Sequence, residues 1–269
     1  MDYFKGKVVA ITGGTSGIGK ALVEKLLLSG AKVSTCGRNH DKINNLRLSY
    51  LKFPFNINFY ELSTENGCQK FIADTIDYFG SIDILINNAG ITDRILFESN
   101  EMNDFKTIID NNFMSTVYCT KFSLEEIKKQ LGTIVNITSV LGLIGAPGRS
   151  AYAASKFAIT GFTESLAHEM LASKVHVMWI APGYIKSDIR NKKSFKDPLQ
   201  NQEPSNLNED KMLTVEECAD EILLSIQAKK INKIIGGQGN WIYRIKRWFP
   251  KIAFKLVHKF YIKNGKLIK

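Results

Sequence analysis

Short runs of aliphatic and β-branched residues alternate along the chain with longer stretches in which apolar residues recur at helical spacing. Strands that alternate with helices in this way are typical of βαβ units, in which helices cover both faces of a parallel sheet. We therefore predict an α/β fold with a single doubly wound parallel sheet. Seven strands are expected, at 7–12, 32–37, 57–62, 82–87, 133–138, 175–180 and 232–237. The helices expected between them lie at 17–28, 40–52, 65–79, 101–130, 152–172 and 214–229.

A polar stretch follows the sixth predicted strand. Residues 188–212 contain two prolines and show no apolar period, which predicts a long surface loop of the kind that often covers a substrate site. The next helix opens on Thr214 with Glu217 three residues later, the pattern of a capping box. Because no linker divides the chain, we predict one catalytic domain at 1–240, followed by a tail at 241–269.

Charge is distributed unevenly along the chain. Residues 1–221 hold 24 lysines and arginines against all 26 acidic residues, whereas residues 222–269 hold 12 basic residues and no acid. The positive net charge of the chain, +10, therefore arises from residues 222–269. Since the body gives no sign of a basic surface, nucleic-acid binding is not expected. The four cysteines show no metal-ligand spacing, so we predict no metal site and reduced thiols.

Nothing in the hydropathy pattern predicts a membrane span or a leader. The N-terminal residues run almost directly into the first strand, which leaves no room for a signal peptide. No uncharged apolar run approaches the ~20 residues that cross a bilayer. We therefore expect a cytoplasmic protein.

A glycine-rich turn, TGGTSGIG, leads from the first strand into the first helix. Gly13, Gly17 and Gly19 permit positive φ angles and let backbone N–H groups approach a pyrophosphate at the helix N-terminus. The spacing is G-x-x-x-G-x-G, whereas the more familiar dinucleotide fingerprint is G-x-G-x-x-G. The position of the turn, between strand and helix, indicates a Rossmann-type nucleotide site.

The end of the second strand, CGRN, bears on the choice of nucleotide. An acidic residue there would accept hydrogen bonds from the ribose of NAD, whereas an arginine suits the 2′-phosphate of NADP. Gly37 and Arg38 occupy this place and no acid is present. We therefore predict that NADP(H) is preferred over NAD(H).

Four motifs in order, TGGTSGIG, NNAG (87–90), YAASK (152–156) and PGYIKS (182–187), identify a family resemblance. With them the chain resembles the short-chain dehydrogenase/reductase family over residues 5 to 238. The stretch PGRSAYAASKFAITGFTESLAHEM is most similar to hydroxysteroid and retinol-type members. The resemblance implies an oxidoreductase that forms a homodimer or homotetramer and acts on a small alcohol or carbonyl compound.

The same resemblance implies the site residues. Tyr152 would be the general acid, with Lys156 as its activator and ribose ligand, and Ser139 would polarise the carbonyl. Asn112 would complete the proton relay, although Asn111 beside it is an alternative. The expected cofactor-binding residues are Gly13, Thr15, Ser16, Gly17, Ile18, Gly19, Arg38, Leu62, Asn88, Ala89, Gly90, Tyr152, Lys156, Pro182, Gly183 and Ile185. Two positions depart from the family pattern, Glu61 in place of Asp and Ser187 in place of Thr, and both keep an oxygen.

Carbonyl reduction needs a proton as the hydride arrives, because negative charge builds on the oxygen. A free tyrosine, with a pKa of about 10, is a reluctant acid–base group at neutral pH. On a helix, Tyr152 and Lys156 share one face. A neighbouring ammonium favours the phenolate, so we expect Lys156 to lower the pKa of Tyr152. Ser139 would donate to the developing oxyanion.

Residues 241–260 of the tail have an amphipathic pattern. On a single helical wheel one face holds Trp241, Ile245, Trp248, Ile252 and Leu256, and the opposite side holds Arg244, Arg247, Lys251 and Lys255. Pro250 is expected to begin a second helix or to kink a single one. Aromatic residues opposed to basic ones suit a helix at an anionic membrane surface. The alternatives are packing on the body, roofing the substrate cleft, a subunit contact and docking of an acidic carrier protein.

These observations predict an NADP(H)-dependent oxidoreductase that interconverts an alcohol and a ketone or aldehyde on an apolar, lipid-like substrate. A 3-oxoacyl-thioester reductase is the alternative enzyme. A cofactor-binding regulatory or scaffold protein is the alternative from another class. The presence of Asn112, Ser139, Tyr152 and Lys156 together argues against it, because a pure binder would not need all four.

Overall fold

The computed structural model describes residues 2–186, 212–263 and 266–267. Seven of its strands form one sheet in the order β3-β2-β1-β4-β5-β6-β9, and every neighbouring pair in it is parallel. These strands are β1 (Val8–Ile11), β2 (Lys32–Gly37), β3 (Phe55–Phe59), β4 (Ile84–Asn87), β5 (Thr133–Ile137), β6 (His176–Pro182) and β9 (Asn232–Ile235). The short strands β7 (Ile185–Lys186) and β8 (Leu213–Thr214) pair with each other, as do β10 (Ile262–Lys263) and β11 (Lys266–Leu267). All seven predicted sheet strands are confirmed.

Helices connect the strands. They are α1 (Gly17–Leu28), α2 (His40–Ser49), α3 (Glu65–Phe79), α4 (Met102–Ile109), α5 (Ser115–Lys129), α6 (Ser150–Glu169), α7 (Val215–Gln227), α8 (Gly237–Trp248) and α9 (Pro250–Tyr261). The bounds of α1 and α3 coincide with the prediction. At α3 the reason is local: the Thr64 side chain accepts a hydrogen bond from the Gly67 N–H, and Gly80 ends the helix in the left-handed region, as expected of such caps.

Two apolar layers cover the sheet, one on each face. On one side α1 and α7 pack together over a core that includes Leu22, Leu26 and Ile222. On the other side α3, α5 and α6 cover a core that includes Phe71, Ile127 and Leu166. This arrangement confirms the predicted doubly wound α/β fold.

Strand order places the functional loops at one edge of the sheet. From β1 the chain proceeds outward to β2 and β3, and β4 then lies on the other side of β1. In doubly wound sheets, ligands bind beyond the carboxyl ends of the strands, at the point where the order reverses. The glycine-rich turn after β1 and the NNAG motif after β4 flank this point.

The predicted helix 101–130 differs from the structure in one respect. A π-helical turn, Asp110–Met114, separates α4 from α5. The apolar period continues through it, so the sequence pattern does not reveal the extra residue.

The predicted loop 188–212 lies, except for Met212, outside the described residues. The capping box at the start of α7 is confirmed: Thr214 and Glu217 exchange side-chain and backbone hydrogen bonds of 3.1 and 2.8 Å.

Candidate active site

Tyr152 and Lys156 lie one turn apart on α6. The Lys156 Nζ is 5.9 Å from the centroid of the Tyr152 ring and donates a hydrogen bond of 2.9 Å to the main-chain carbonyl of Ile137. The side chain of Lys156 is only 4% exposed. The lysine is therefore fixed between the end of β5 and the tyrosine.

Ser139 joins this pair from the end of β5. Its hydroxyl hydrogen-bonds the side chain of Tyr152 and also accepts from the Leu141 N–H at 3.1 Å. The second bond caps a short 3-10 turn, Val140–Gly142, and so holds the serine in place. Three of the four predicted catalytic residues thus meet at one point.

The electrostatics of this cluster correct one prediction. Burial raises the pKa of Tyr152, and the hydrogen bond from Ser139 and the charge of Arg149 offset only part of this effect. Burial also lowers the pKa of Lys156 to about 8. The expectation that the pKa of Tyr152 is lowered was wrong for the protein without nucleotide, because desolvation outweighs the effects of Ser139 and Arg149.

The structure distinguishes Asn112 from its neighbour. The Asn112 amide is fully buried; its Oδ1 accepts from the Ile91 N–H at 2.7 Å, and its Nδ2 donates to the Ile91 carbonyl and to Ser155 Oγ at 2.9 Å each. Asn111 instead donates to the carbonyl of Thr107 within its own helix. The π-helical turn therefore directs Asn112, and not Asn111, toward the site.

Gly90 provides the space between Asn112 and Lys156. A methyl group on its α-carbon would lie 3.2 Å from Asn112 Oδ1 and 3.5 Å from Lys156 Nζ. The last residue of the NNAG motif is thus in direct proximity to two of the four predicted catalytic side chains.

The glycine-rich turn has the geometry of a nucleotide cradle. Gly13 and Gly17 have φ angles of 73° and 54°, in the left-handed region that favours glycine. A Cβ at Gly19 would lie 2.3 Å from the Gly13 carbonyl oxygen, whereas a Cβ at Gly17 would meet open space. Ser16 is the N-cap of α1, Ile18 packs against the core, and Thr15 is half-buried. A pyrophosphate at the N-terminus of α1 fits this turn.

The NNAG motif is hydrogen-bonded to the start of the glycine-rich turn. The backbone N–H groups of Asn88 and Ala89 both donate to Thr12 Oγ1 at 2.9 Å. The Asn88 amide donates to the carbonyls of Thr12 and Gly13 at 3.0 and 3.3 Å. Sequence reasoning missed Thr12, although its place at the end of a buried strand, directly before the glycines, was a usable signal.

The remaining predicted cofactor residues lie at three strand ends. Arg38 is exposed directly after β2, and Leu62 is buried beyond β3. Pro182 ends β6, Gly183 donates to the Ile235 carbonyl at 2.8 Å, and Ile185 is buried. Of the two departures from the family pattern, Glu61 accepts hydrogen bonds from the Ser63 N–H and hydroxyl, and Ser187 lies outside the described residues.

The tail packs against the loops around Ser139 and Tyr152. Lys246 on α8 donates a hydrogen bond of 2.5 Å to the carbonyl of Leu143, and Tyr261 on α9 hydrogen-bonds the hydroxyl of Tyr184 in the PGYIKS motif. At β11, Leu267 lies 2.8 Å from where a Cβ of Gly148 would be. These contacts confirm one of the predicted alternatives, packing on the body, whereas roofing of the substrate cleft stays a prediction.

Comparison with known proteins agrees with this geometry. The profile of the short chain dehydrogenase family matches residues 7–197, a span that includes all four motifs. The chain therefore belongs to the short-chain dehydrogenase/reductase family, and it is an oxidoreductase of that class.

Two curated relatives illustrate the range of similar enzymes. The chain is 36% identical over 197 residues to the 3-oxoacyl-(acyl-carrier-protein) reductase FabG of Rickettsia prowazekii, covering 73% of this chain and 80% of that protein. It is 31% identical over 268 residues to the 11-beta-hydroxysteroid dehydrogenase-like 2 of Arabidopsis thaliana, covering 97% and 84% respectively. The second similarity extends over the tail, whereas the first does not reach across the whole chain.

Solved structures share the fold. A short-chain dehydrogenase/reductase from Burkholderia phymatum in complex with NAD superposes with a TM-score of 0.82 and 21% identity, over 94% of this chain and 96% of that one. A short chain dehydrogenase from Burkholderia cenocepacia in complex with NADP gives a TM-score of 0.78 and 20% identity, over 94% and 98%.

Proposed function

We propose that the protein is an NADP(H)-dependent oxidoreductase that interconverts an alcohol and a ketone or aldehyde on an apolar, lipid-like substrate, with Tyr152 as the acid–base group. The observation that supports it most is the cluster that half-buried Ser139 and Tyr152 form with the buried Lys156. A hydroxyl, a phenol and an ammonium at one point can polarise a carbonyl and deliver a proton to it. The nicotinamide would supply the hydride when bound.

Each residue then has a defined task. Ser139 donates to the carbonyl oxygen as negative charge develops on it, and Tyr152 gives its proton to the same oxygen. Lys156, whose pKa of about 8 lies close to neutrality, can hold or release a proton beside the phenol. Asn112, Asn88 and the glycine-rich turn position the cofactor and the lysine.

Arg38 supports the choice of NADP(H) over NAD(H). It is exposed at the end of β2, where its guanidinium is free to reach an anionic group at the adenosine ribose, and guanidinium groups bind phosphate with favourable geometry. The solved structures of similar fold contain either nucleotide, so the preference rests on this residue.

A substrate screen tests the proposal. NADPH oxidation would be followed with apolar ketones, aldehydes and 3-oxoacyl thioesters, for the wild type and for Tyr152→Phe. Tyr118→Phe, on the half-buried face of α5, is the matched control. We expect turnover of at least one apolar carbonyl compound, lost in Tyr152→Phe and retained in the control. A catalytically silent wild type that still binds NADPH would favour the scaffold alternative.

The similarity to FabG keeps a 3-oxoacyl-thioester reductase as the second candidate. The same screen separates the two, because that enzyme would reduce thioesters and leave steroid-like or retinoid-like ketones unchanged. The longer coverage of the hydroxysteroid dehydrogenase-like relative supports the first candidate.

The tail supports a further part of the proposal, attachment to an anionic membrane surface. A set of large apolar side chains on α8 and α9 is exposed, which we call the aromatic tail surface: Trp241, Trp248, Phe249, Ile252, Phe254 and Leu256. The exposed basic residues on the same helices are Arg244, Arg247, Lys251, Lys255 and Lys259. Exposed apolar patches bordered by cations are typical of interfacial helices.

The helices of the tail differ from the single wheel that the sequence pattern suggested. Pro250 begins α9, which confirms the expectation that it starts a second helix. Phe249, between α8 and α9, has non-helical backbone angles of φ −135° and ψ 65°. Ile245 is half-buried, whereas the other four members of the predicted apolar face are exposed. Within the described residues, no helix is both long and apolar enough to cross a bilayer.

Vesicle sedimentation tests the attachment. Deletion of the tail is a poor test, because the tail also packs on the loops at Leu143 and Tyr184. Trp248→Ser with Phe254→Ser, two side chains that are 73% and 75% exposed, should abolish binding to phosphatidylserine vesicles, and binding of the wild type should fall with salt. Leu28→Ser, equally exposed on α1, is the control. Equal sedimentation of all three proteins would contradict the attachment.

The homodimer or homotetramer that the resemblance implies stays a prediction. Sedimentation-velocity measurement of the purified chain, without lipid, gives the mass that tests it.

A further inference from the structure

Two charged residues outside the motifs meet at the N-terminus of α6. Arg149 directly precedes this helix, and its Nη1 donates to Thr92 Oγ1 at 2.8 Å and to the main-chain carbonyl of Asp93. The carboxylate of Asp93 lies near the backbone N–H of Tyr152, which lowers the pKa of this carboxyl group. No side chain of α6 itself caps the helix, since Arg149 at the N-cap position makes no such bond. Asp93 therefore faces the uncapped first turn of α6 from another loop.

The loop that carries Asp93 is fixed on both sides of this contact. At Ile91 its main chain is held by both ends of the Asn112 amide. At Ile95 its N–H donates to the carbonyl of Gly148 at 3.0 Å. The loop thus links Asn112 in the π-helical turn to Gly148, two residues before α6.

The burial of Asp93 is unusual for a carboxylate with so few hydrogen bonds. Its side chain is 2% exposed, and its Oδ1 is buried without a hydrogen-bond partner in the described structure. Its Oδ2 receives a long bond of 3.4 Å from the Asn100 amide. Burial of a weakly paired carboxylate is unfavourable, and such groups concentrate at functional sites.

We propose that Asp93 and Arg149 are positioning residues for the carbonyl chemistry, which hold the first turn of α6 and with it the hydroxyl of Tyr152. The inference rests on the proposed function of Tyr152 as the acid–base group. Because both residues are charged, they also act on the phenol through space. Arg149 lowers the pKa of Tyr152 and Asp93 raises it.

The surroundings of Tyr152 are otherwise simple in the described part of the chain. Its hydroxyl is bonded by Ser139, and Lys156 lies one turn further along α6. Two charged residues also act on Tyr152: Asp93 in the loop after β4, and Arg149 at the N-terminus of α6. Removal of one charge of the Asp93–Arg149 pair therefore leaves the other uncompensated. Loss of the Arg149 charge should raise the pKa of Tyr152, and loss of the Asp93 charge should lower it.

The pH profile of alcohol oxidation tests the pair. Oxidation needs the phenolate, so the rising limb of kcat/KM at saturating NADP+ reports this ionisation. Arg149→Gln should move the limb to higher pH, and Asp93→Asn, which removes the charge at nearly unchanged shape, should move it to lower pH, each by about one unit. Arg149→Lys keeps the charge and should restore most of the wild-type profile.

Matched controls exclude a general loss of structure. Arg47→Gln and Asp74→Asn remove a hydrogen-bonded guanidinium and a hydrogen-bonded carboxylate at the far edge of the sheet. Neither should move the profile. Shifts of Arg149→Gln and Asp93→Asn in the same direction, or no shift in either, would overturn the inference.

A second measurement does not depend on turnover. In protein labelled at the tyrosine 13Cζ, the Tyr152 resonance is assigned with Tyr152→Phe and titrated up to the highest pH at which circular dichroism shows a folded chain. Its titration should move up in Arg149→Gln and down in Asp93→Asn. A wild type without oxidoreductase activity would refute the proposed function alone, whereas an unchanged titration would refute the pair.

Discussion

The Lys156 ammonium donates a hydrogen bond to the main-chain carbonyl of Ile137, the last residue of β5. Burial there lowers its pKa from 10.5 to about 8. Between these two values the unfolded chain binds more protons at this site than the folded one. The free energy of unfolding should therefore rise with pH across this window as far as Lys156 is concerned.

Lys156→Met should remove that dependence. At pH 7 the variant should be more stable than the wild type by roughly 1–3 kcal/mol, because a buried cation is replaced by an apolar side chain of similar length. Urea denaturation at pH 7.0, 8.5 and 9.5 measures the free energy of unfolding. Higher pH is avoided, because the raised pKa of Tyr152 makes this free energy fall as the pH rises further. Lys70→Met, exposed on α3, should change little. A less stable variant at pH 7 would contradict the argument.

Gly90→Ala should impair turnover with little effect on stability. The added methyl group would lie 3.2 Å from Asn112 Oδ1, so that this amide must move by a few tenths of an ångström, and it would come into van der Waals contact with Lys156 Nζ at 3.5 Å. We expect kcat to fall by about tenfold or more, since catalytic geometry is sensitive to such displacements. Gly161→Ala, at an exposed interior position of α6 with open space around it, should raise stability by about 0.5–1 kcal/mol at unchanged kcat.

Arg38→Asp should change the nucleotide preference. The substituted carboxylate would repel a 2′-phosphate and accept hydrogen bonds from a free ribose. Fluorescence titration should show a loss of NADPH affinity of about tenfold or more, with NADH affinity unchanged or improved. Arg244→Asp, an exposed arginine on α8, controls for net charge. Equal losses of both nucleotides would remove the basis for the NADP(H) assignment.

Asn112→Ala and Asn111→Ala should behave differently although the residues are adjacent. The first substitution leaves the backbone N–H and carbonyl of Ile91 without their partner, which should destabilise the protein by about 1–3 kcal/mol and lower kcat. The second removes one bond to Thr107 within a helix. Thermal denaturation and kcat measured on both variants would show the contrast, and similar effects of the two would argue against the assignment of Asn112.

The sequence sufficed where a residue type has one structural use. The glycine-rich turn, the Tyr152–Lys156 spacing and the capping box at Thr214 all predicted the observed geometry, because few alternatives satisfy the same backbone constraints. No sequence pattern predicts the contact between Arg149 and Asp93. The two are 56 residues apart along the chain, and only the parallel sheet brings their loops together. The contact of Tyr261 with Tyr184 was hidden in the same way, since helical periodicity does not specify which surface a helix covers.

The π-helical turn Asp110–Met114 has a consequence for the evolution of this chain. Such a turn holds one residue more than an α-helical path of the same length. Deleting one residue within it should let Met102 to Lys129 wind as an uninterrupted α-helix of greater thermal resistance, while the amide of Asn112 would rotate by about 100° out of reach of Ile91. Selection for heat tolerance alone would thus favour a shortened, inactive descendant. The surplus residue persists only as long as turnover is selected.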